Sequence, residues 1–134
     1  MTDRQEALAA WIQRGEGVAG TLHLVRNGQL ELVASLNIPH KVIELTEIIP
    51  KGKGMAGLAW SRVKPVQTCN LKDDETGDVR PGAKAVDAKG AVAIPLVDDA
   101  GEVVAVAGIA YADERELSPD VVAELAARAQ TLLD

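Results

Sequence analysis

One turn sequence constrains the fold of this chain more than any other feature. Asn27-Gly28, together with Arg26, separates two short runs of alternating apolar character, Thr21–Val25 and Gln29–Ser35. Asn-Gly favours the two positive φ angles of a type I′ turn, which joins neighbouring antiparallel strands. The sequence therefore predicts a β-hairpin over these residues.

A second hairpin is predicted towards the end of the chain. Two strongly apolar runs, Ala91–Val97 and Val103–Tyr111, are separated by the turn sequence Asp98-Asp99-Ala100-Gly101. Asp and Gly are typical of tight turns, because Asp bonds its own backbone and Gly accepts a positive φ. The near-continuous apolar character of both runs predicts central strands.

Helices are predicted at both ends of the chain, over about residues 3–14 and 119–133. Thr2 and Gln5 have the spacing of a capping box, and Gly15 can end the first helix. In the last helix Ser118 is a good N-cap and Pro119 fits the first helical position. Apolar residues repeat at helical spacing in both segments.

The middle of the chain carries weaker signals. A helical turn is predicted over His40–Leu45, followed by a short strand over Glu47–Ile49. Gly54–Val63 has helical spacing and Pro65–Leu71 suits a strand. The stretch Asn70–Gly90 is rich in Asp, Lys and Gly and is predicted to be a long loop; loops of this length often cover a site.

Length and composition predict one soluble domain, spanning residues 1–134, in the cytoplasm. The chain has 134 residues and a net charge of −6, and its hydrophobic fraction of 47% is ordinary for a globular protein. It lacks a run of Lys and Arg, which disfavours nucleic acid as a partner. No apolar stretch approaches the roughly 20 residues that cross a bilayer, so no membrane association is expected.

The residues Gly52-Lys53-Gly54-Met55-Ala56-Gly57 form a GxGxxG pattern before a predicted helix. A dinucleotide-binding fold uses this pattern after a strand, but it needs parallel crossovers, and the strands predicted here come in hairpins. We interpret the glycines instead as allowing a tight start of a helix that packs close to the sheet.

Residues that could bind a metal ion or act as a nucleophile are few and scattered. His23, His40 and Cys69 lie in three different predicted elements, so no metal site is expected. A buried structural thiol is the expected state of Cys69, although nucleophilic catalysis would need this residue or a serine beside a base. No cofactor is identified from these residues.

The order of the predicted elements resembles that of a GAF domain over about residues 5–133. The segments that carry the resemblance are Ile49-Pro50, the glycine pattern to Ala59, Lys64-Pro65-Val66, Ala91 to Leu96, and Gly101 to Val104. The resemblance implies an α/β fold of the α+β type. Its central antiparallel sheet would have five or six strands, with the N- and C-terminal helices on one face and the pocket on the other.

Within that family, the chain is also similar to free methionine-(R)-sulfoxide reductase, a stand-alone GAF domain of similar length. The reductase's reactive cysteine would fall at Val86, and its acids would fall at Ala91, Gly108 and Ala110. The chain therefore lacks the catalytic residues that this resemblance would carry over.

The leading hypothesis is a non-catalytic, small-molecule-binding or regulatory module with an unknown ligand. The alternatives are a small redox enzyme that uses Cys69 and a pure protein-interaction domain. The pocket is expected to lie between the long loop and the sheet. Some of the following residues are expected to line it, because of their side-chain chemistry and their position in or near the loop: Trp60, Cys69, Arg80, Lys84 and Tyr111.

A homodimer joined through the terminal helices is also predicted. Leu8, Trp11 and Ile12 in the first helix, with Val121, Leu125 and Leu133 among others in the last, form an apolar stripe wider than one sheet face needs. Surplus apolar surface is commonly buried against a second copy of the same chain.

Overall fold

The computed structural model describes residues 3–40, 43–44, 47–68, 89–113 and 116–133. Its elements, in chain order, are α1 (Arg4–Arg14), β1 (Ala19–Arg26), β2 (Gln29–Leu36), β3 (Ile48–Pro50), α2 (Gly54–Arg62), β4 (Val66–Thr68), β5 (Ala91–Val97), β6 (Val103–Ala110), α3 (Pro119–Ala129) and a 3₁₀ turn (Gln130–Leu133). The predicted long loop falls almost entirely outside the described residues.

The strands form one six-stranded sheet in the order β3-β2-β1-β6-β5-β4. Every neighbouring pair is antiparallel, and the two predicted hairpins, β1-β2 and β5-β6, are joined through the β1-β6 pairing at the centre. The predicted α+β architecture with an antiparallel sheet of five or six strands is confirmed.

Local turn chemistry explains both hairpins. Asn27 and Gly28 have φ angles of 54° and 76°, the positive pair that a type I′ turn requires. In the second turn Gly101 has a φ of 81°, and the Asp98 carboxylate accepts hydrogen bonds from the backbone N–H groups of Ala100 and Glu102 at 2.9 and 3.0 Å.

The two terminal helices cover one face of the sheet, as predicted. Leu8, Trp11 and Ile12 of α1 and Leu125 and Ala129 of α3 are buried in one apolar cluster with side chains from all four long strands. The indole N–H of Trp11 donates to the backbone oxygen of Leu125 at 3.1 Å, which ties the two helices together. This cluster is the main core.

Most of the apolar stripe that suggested a homodimer is used inside the chain. Trp11 is only 4% exposed and faces its own sheet, so its substitution cannot test for a dimer. On the outer surface of α3, Val121 is 43% exposed. The homodimer stays a prediction.

The opposite face of the sheet carries α2. Ala59 and Trp60 of this helix pack in a second apolar cluster with Leu30, Ile49, Val66, Ala93, Val103 and Val106. The helix thus covers one part of this face, close to the turns of the hairpins.

The structure moves several element boundaries. Asp3, rather than Thr2, caps α1, because its carboxylate accepts from the N–H of Gln5 at 3.2 Å. Strand β3 ends at Pro50, one residue later than predicted, and β6 ends at Ala110. Among the described residues, no helix is long and apolar enough to span a membrane.

Candidate functional site

The register of the central strands collects small side chains on the face opposite the terminal helices. Thr21 pairs with both Ser35 and Gly108, and Ala91 pairs with Ala110, and cross-strand partners share a face. A β-carbon added at Gly108 would lie 3.1 Å from the Thr21 hydroxyl oxygen, so these two residues are direct neighbours. We call Thr21, Ser35, Ala91, Gly108 and Ala110 the small-residue floor.

The floor is distinct from the part of the face that α2 covers. None of its five residues belongs to the second apolar cluster, but the two regions adjoin, because Ala93 of that cluster pairs with Gly108. All five residues are small, and four of them are only partly buried: Thr21, Ser35, Ala91 and Gly108.

His23 lies at the border between the floor and the second cluster. It follows Thr21 by two residues in β1, pairs with Val106 of that cluster, and is 2% exposed. A strand places residues two apart on the same face, so the imidazole and the Thr21 hydroxyl share one surface. Both groups can donate and accept hydrogen bonds.

A register shift in β2 helps to fix this arrangement. The partners of Leu22 and His23 in β2 are Ala34 and Leu32, so one extra residue of β2 lies between the two pairs. A bulge of this kind alters strand twist and the direction of nearby side chains. It lies beside His23, at the centre of the sheet.

The glycine pattern Gly52–Gly57 spans the start of α2 and allows its close approach to β3. Gly52 has a φ of 80°, and its N–H donates to the backbone oxygen of Gly57 at 2.9 Å. A β-carbon at Gly57 would lie 2.6 Å from the Pro50 oxygen, so only glycine permits this approach of helix and strand. With an antiparallel sheet beside it, the pattern does not form a dinucleotide-binding unit.

The predicted site residues do not all come together. Trp60 lies in the second cluster, and the Lys51 ammonium group is 5.2 Å from the centroid of its ring. Tyr111 lies on the other face, buried in the main core, because it continues the alternation of Ala107 and Ile109. The remaining three predicted residues lie outside the described part of the chain: Cys69, Arg80 and Lys84.

Sequence reasoning gave little weight to His23 and none to Thr21 or Gly108 as site residues. The signal present in the sequence was a histidine and a threonine at alternate positions of an otherwise apolar strand. Within the described residues there is no group of three or more His, Cys, Asp and Glu side chains that could hold a metal ion.

Comparison with known families settles the family of the chain. A sequence model of the GAF domain matches residues 3–132, almost the full length. The chain belongs to the GAF domain family. A comparison with curated proteins finds no match.

Solved structures of GAF domains resemble the fold. One is the GAF domain of a phosphoenolpyruvate-protein phosphotransferase from Coxiella burnetii, with a TM-score of 0.71, 19% identity and coverage of 98% of this chain and 84% of that chain. Another is type II free methionine-R-sulfoxide reductase from Thermoplasma acidophilum, with a TM-score of 0.70, 16% identity and coverage of 97% and 92%.

A third similar structure is the NreA protein of Staphylococcus aureus, mutated in its nitrate binding site, with a TM-score of 0.69, 19% identity and coverage of 85% of this chain and 86% of that chain. At these identities the likeness shows the GAF fold alone. The neighbours include an enzyme and a ligand-binding protein, so the fold by itself does not separate the two classes of function.

Proposed function

We propose that this GAF domain is a non-catalytic module that binds a small polar molecule and serves a regulatory role. The observation that carries the proposal is the small-residue floor, which includes the Thr21 hydroxyl and is bordered by the buried His23 imidazole. Binding sites for small molecules combine an apolar lining with a few polar groups that fix orientation. The NreA neighbour has a nitrate binding site, so small polar anions are among the ligands to test.

The composition of the floor favours binding over catalysis. The resemblance to free methionine-(R)-sulfoxide reductase puts that family's acids at Ala91, Gly108 and Ala110, and all three positions belong to the floor. General acid–base catalysis needs an ionisable group within hydrogen-bonding reach of the substrate. Alanine and glycine provide no proton donor or acceptor in a side chain at these positions, and we assign the nearby His23 imidazole and Thr21 hydroxyl to ligand binding.

A thermal-shift screen of polar metabolites and small anions tests this proposal. A ligand at 100 times its Kd adds about 2.7 kcal/mol to the free energy of unfolding, which corresponds to a rise in Tm of about 10 °C for a domain of this size. Thr21→Val removes the hydroxyl at nearly constant volume and is expected to reduce the shift by more than half.

Thr131→Val is the matched control, because Thr131 lies in the 3₁₀ turn after α3 and its hydroxyl donates to the Arg128 oxygen at 2.7 Å. It is expected to leave the ligand-induced shift unchanged. If no compound in the panel raises Tm, or if Thr21→Val keeps the full shift, the floor is not the binding site.

The second candidate function is a small redox enzyme that uses Cys69, favoured by the structural likeness to the free methionine-R-sulfoxide reductases. We expect the purified protein not to reduce free methionine sulfoxide, and Cys69→Ser to leave ligand-induced stabilisation intact. Turnover of free methionine sulfoxide that stops in Cys69→Ser would replace our proposal with the enzymatic one.

A further inference from the structure

Helix α2 begins without the stabilising cap that the other two helices have. The Asp3 carboxylate bonds the Gln5 N–H at the start of α1, and the Ser118 hydroxyl oxygen accepts from the Val121 N–H at 3.3 Å at the start of α3. The N-cap of α2 is Lys53, whose side chain makes no capping hydrogen bond. Helix starts that lack such a bond are measurably weaker.

The other end of α2 holds a strained residue. Val63, its C-cap, has a φ of 54° and a ψ of 43°, in the left-handed region. Glycine is the usual residue in this conformation, because a β-carbon there meets the following backbone, and a β-branched side chain is the least suited to it. Val63 is 54% exposed, so little burial offsets this strain.

The interior of α2 adds little helical stability of its own. The helix has nine residues, and its sequence includes Gly54, Gly57 and Ser61. Isolated helices shorter than ~12 residues are marginal even for good helix formers. Tertiary contacts therefore hold α2 in place, mainly the burial of Ala59 and Trp60 against the sheet.

We propose that α2 opens as a local unit, unwinding from Val63, while the sheet and the terminal helices stay folded. The opening exposes the second apolar cluster, which adjoins the small-residue floor because its members Ala93 and Val106 pair with Gly108 and His23. The role of this motion rests on the proposed function: the opening of α2 admits the ligand to the floor. Elements that move on ligand binding come from the low-stability part of a fold.

Native-state hydrogen exchange, measured by NMR at several sub-denaturing urea concentrations, tests the local opening. The amides of residues 58–62 are expected to exchange at least tenfold faster than those of β1 and β6, with almost no dependence on urea. A local opening exposes little surface and so has a small denaturant slope, whereas global unfolding has a large one.

Val63→Gly relieves the strain in the closed state and is expected to slow exchange at residues 58–62 about tenfold, equivalent to ~1.4 kcal/mol of opening free energy. Val63→Asn, which also tolerates the left-handed region, should slow it by a smaller factor. The matched control is Val121→Gly in α3, another exposed valine, which should leave exchange in α2 unchanged.

Two results would overturn the local opening: exchange at residues 58–62 with the same urea dependence as the central strands, or no slowing in both Val63 variants. The thermal-shift screen separates this inference from the proposed function. If α2 opens locally but no compound raises Tm, the proposed binding at the floor is wrong and the local opening is still supported. If a ligand is found but α2 exchanges only through global unfolding, the site stands and the opening is wrong.

Discussion

Replacing Trp11 with alanine is expected to lower the free energy of unfolding by about 3–5 kcal/mol. The indole is 4% exposed and packs in the main core between α1, α3 and the sheet. Its N–H also donates to the Leu125 oxygen at 3.1 Å, so the substitution leaves a cavity and removes a link between the terminal helices. Urea unfolding followed by circular dichroism measures the loss.

A loss of this size is a large part of the stability of a small domain, which is about 5–15 kcal/mol in total. Trp11→Phe therefore serves as a second variant, because it keeps most of the ring volume and removes only the hydrogen bond and part of the packing. We expect it to cost about 1–2 kcal/mol. Val121→Ala, at an exposed position of α3, is the control and should change stability by less than ~0.5 kcal/mol. A Trp11→Ala variant as stable as this control would mean that α1 does not pack as described.

The frame of the fold follows from signals that act over a few residues. Asn27-Gly28 fixes the first hairpin because its backbone conformation is accessible to few other pairs, and the structure has both positive φ angles. Ser118 followed by Pro119 fixes the start of α3 in the same local way. Strand β5 has the predicted boundaries because a seven-residue apolar run between turn residues has few alternatives.

The candidate site depends on how strands from separate hairpins pair, and no local sequence pattern predicts that pairing. Trp60 and Tyr111 were grouped for their chemistry, yet the alternation of β6 continues into Tyr111 and puts it in the main core, away from α2. The proximity of Thr21 and Gly108 arises only from the β1-β6 pairing between two separate hairpins. Residue type identified the strands, whereas their pairing created the floor.

The errors at element boundaries have a similar origin. Strands β3 and β4 have only three residues each, so their limits are set by their partners β2 and β5 and not by their own sequence. At the first helix the N-cap is Asp3 and not the predicted Thr2, because the Asp3 carboxylate accepts a hydrogen bond from the Gln5 N–H.

The glycine pattern Gly52–Gly57 at the start of α2 has two interpretations, and they predict different results for Gly57→Ala. In the middle of a helix, alanine is normally better than glycine by about 1 kcal/mol. At this position, however, the new β-carbon would lie 2.6 Å from the Pro50 oxygen and 3.1 Å from the Gly52 nitrogen. Both contacts are backbone atoms, one in β3 and one in the segment that links β3 to α2, so they cannot move aside as a side chain would.

We therefore expect Gly57→Ala to destabilise the domain by about 1–3 kcal/mol despite its better helix propensity, because α2 must shift away from β3. Ser61→Ala, at an exposed position of the same helix, is the control and should be neutral or slightly stabilising. Urea denaturation of the two variants gives the comparison. A Gly57→Ala protein more stable than wild type would show that the close approach to Pro50 is not rigid. If its stability were unchanged and it instead lost binding to a nucleotide, the glycines would serve a phosphate group and our interpretation of them would be wrong.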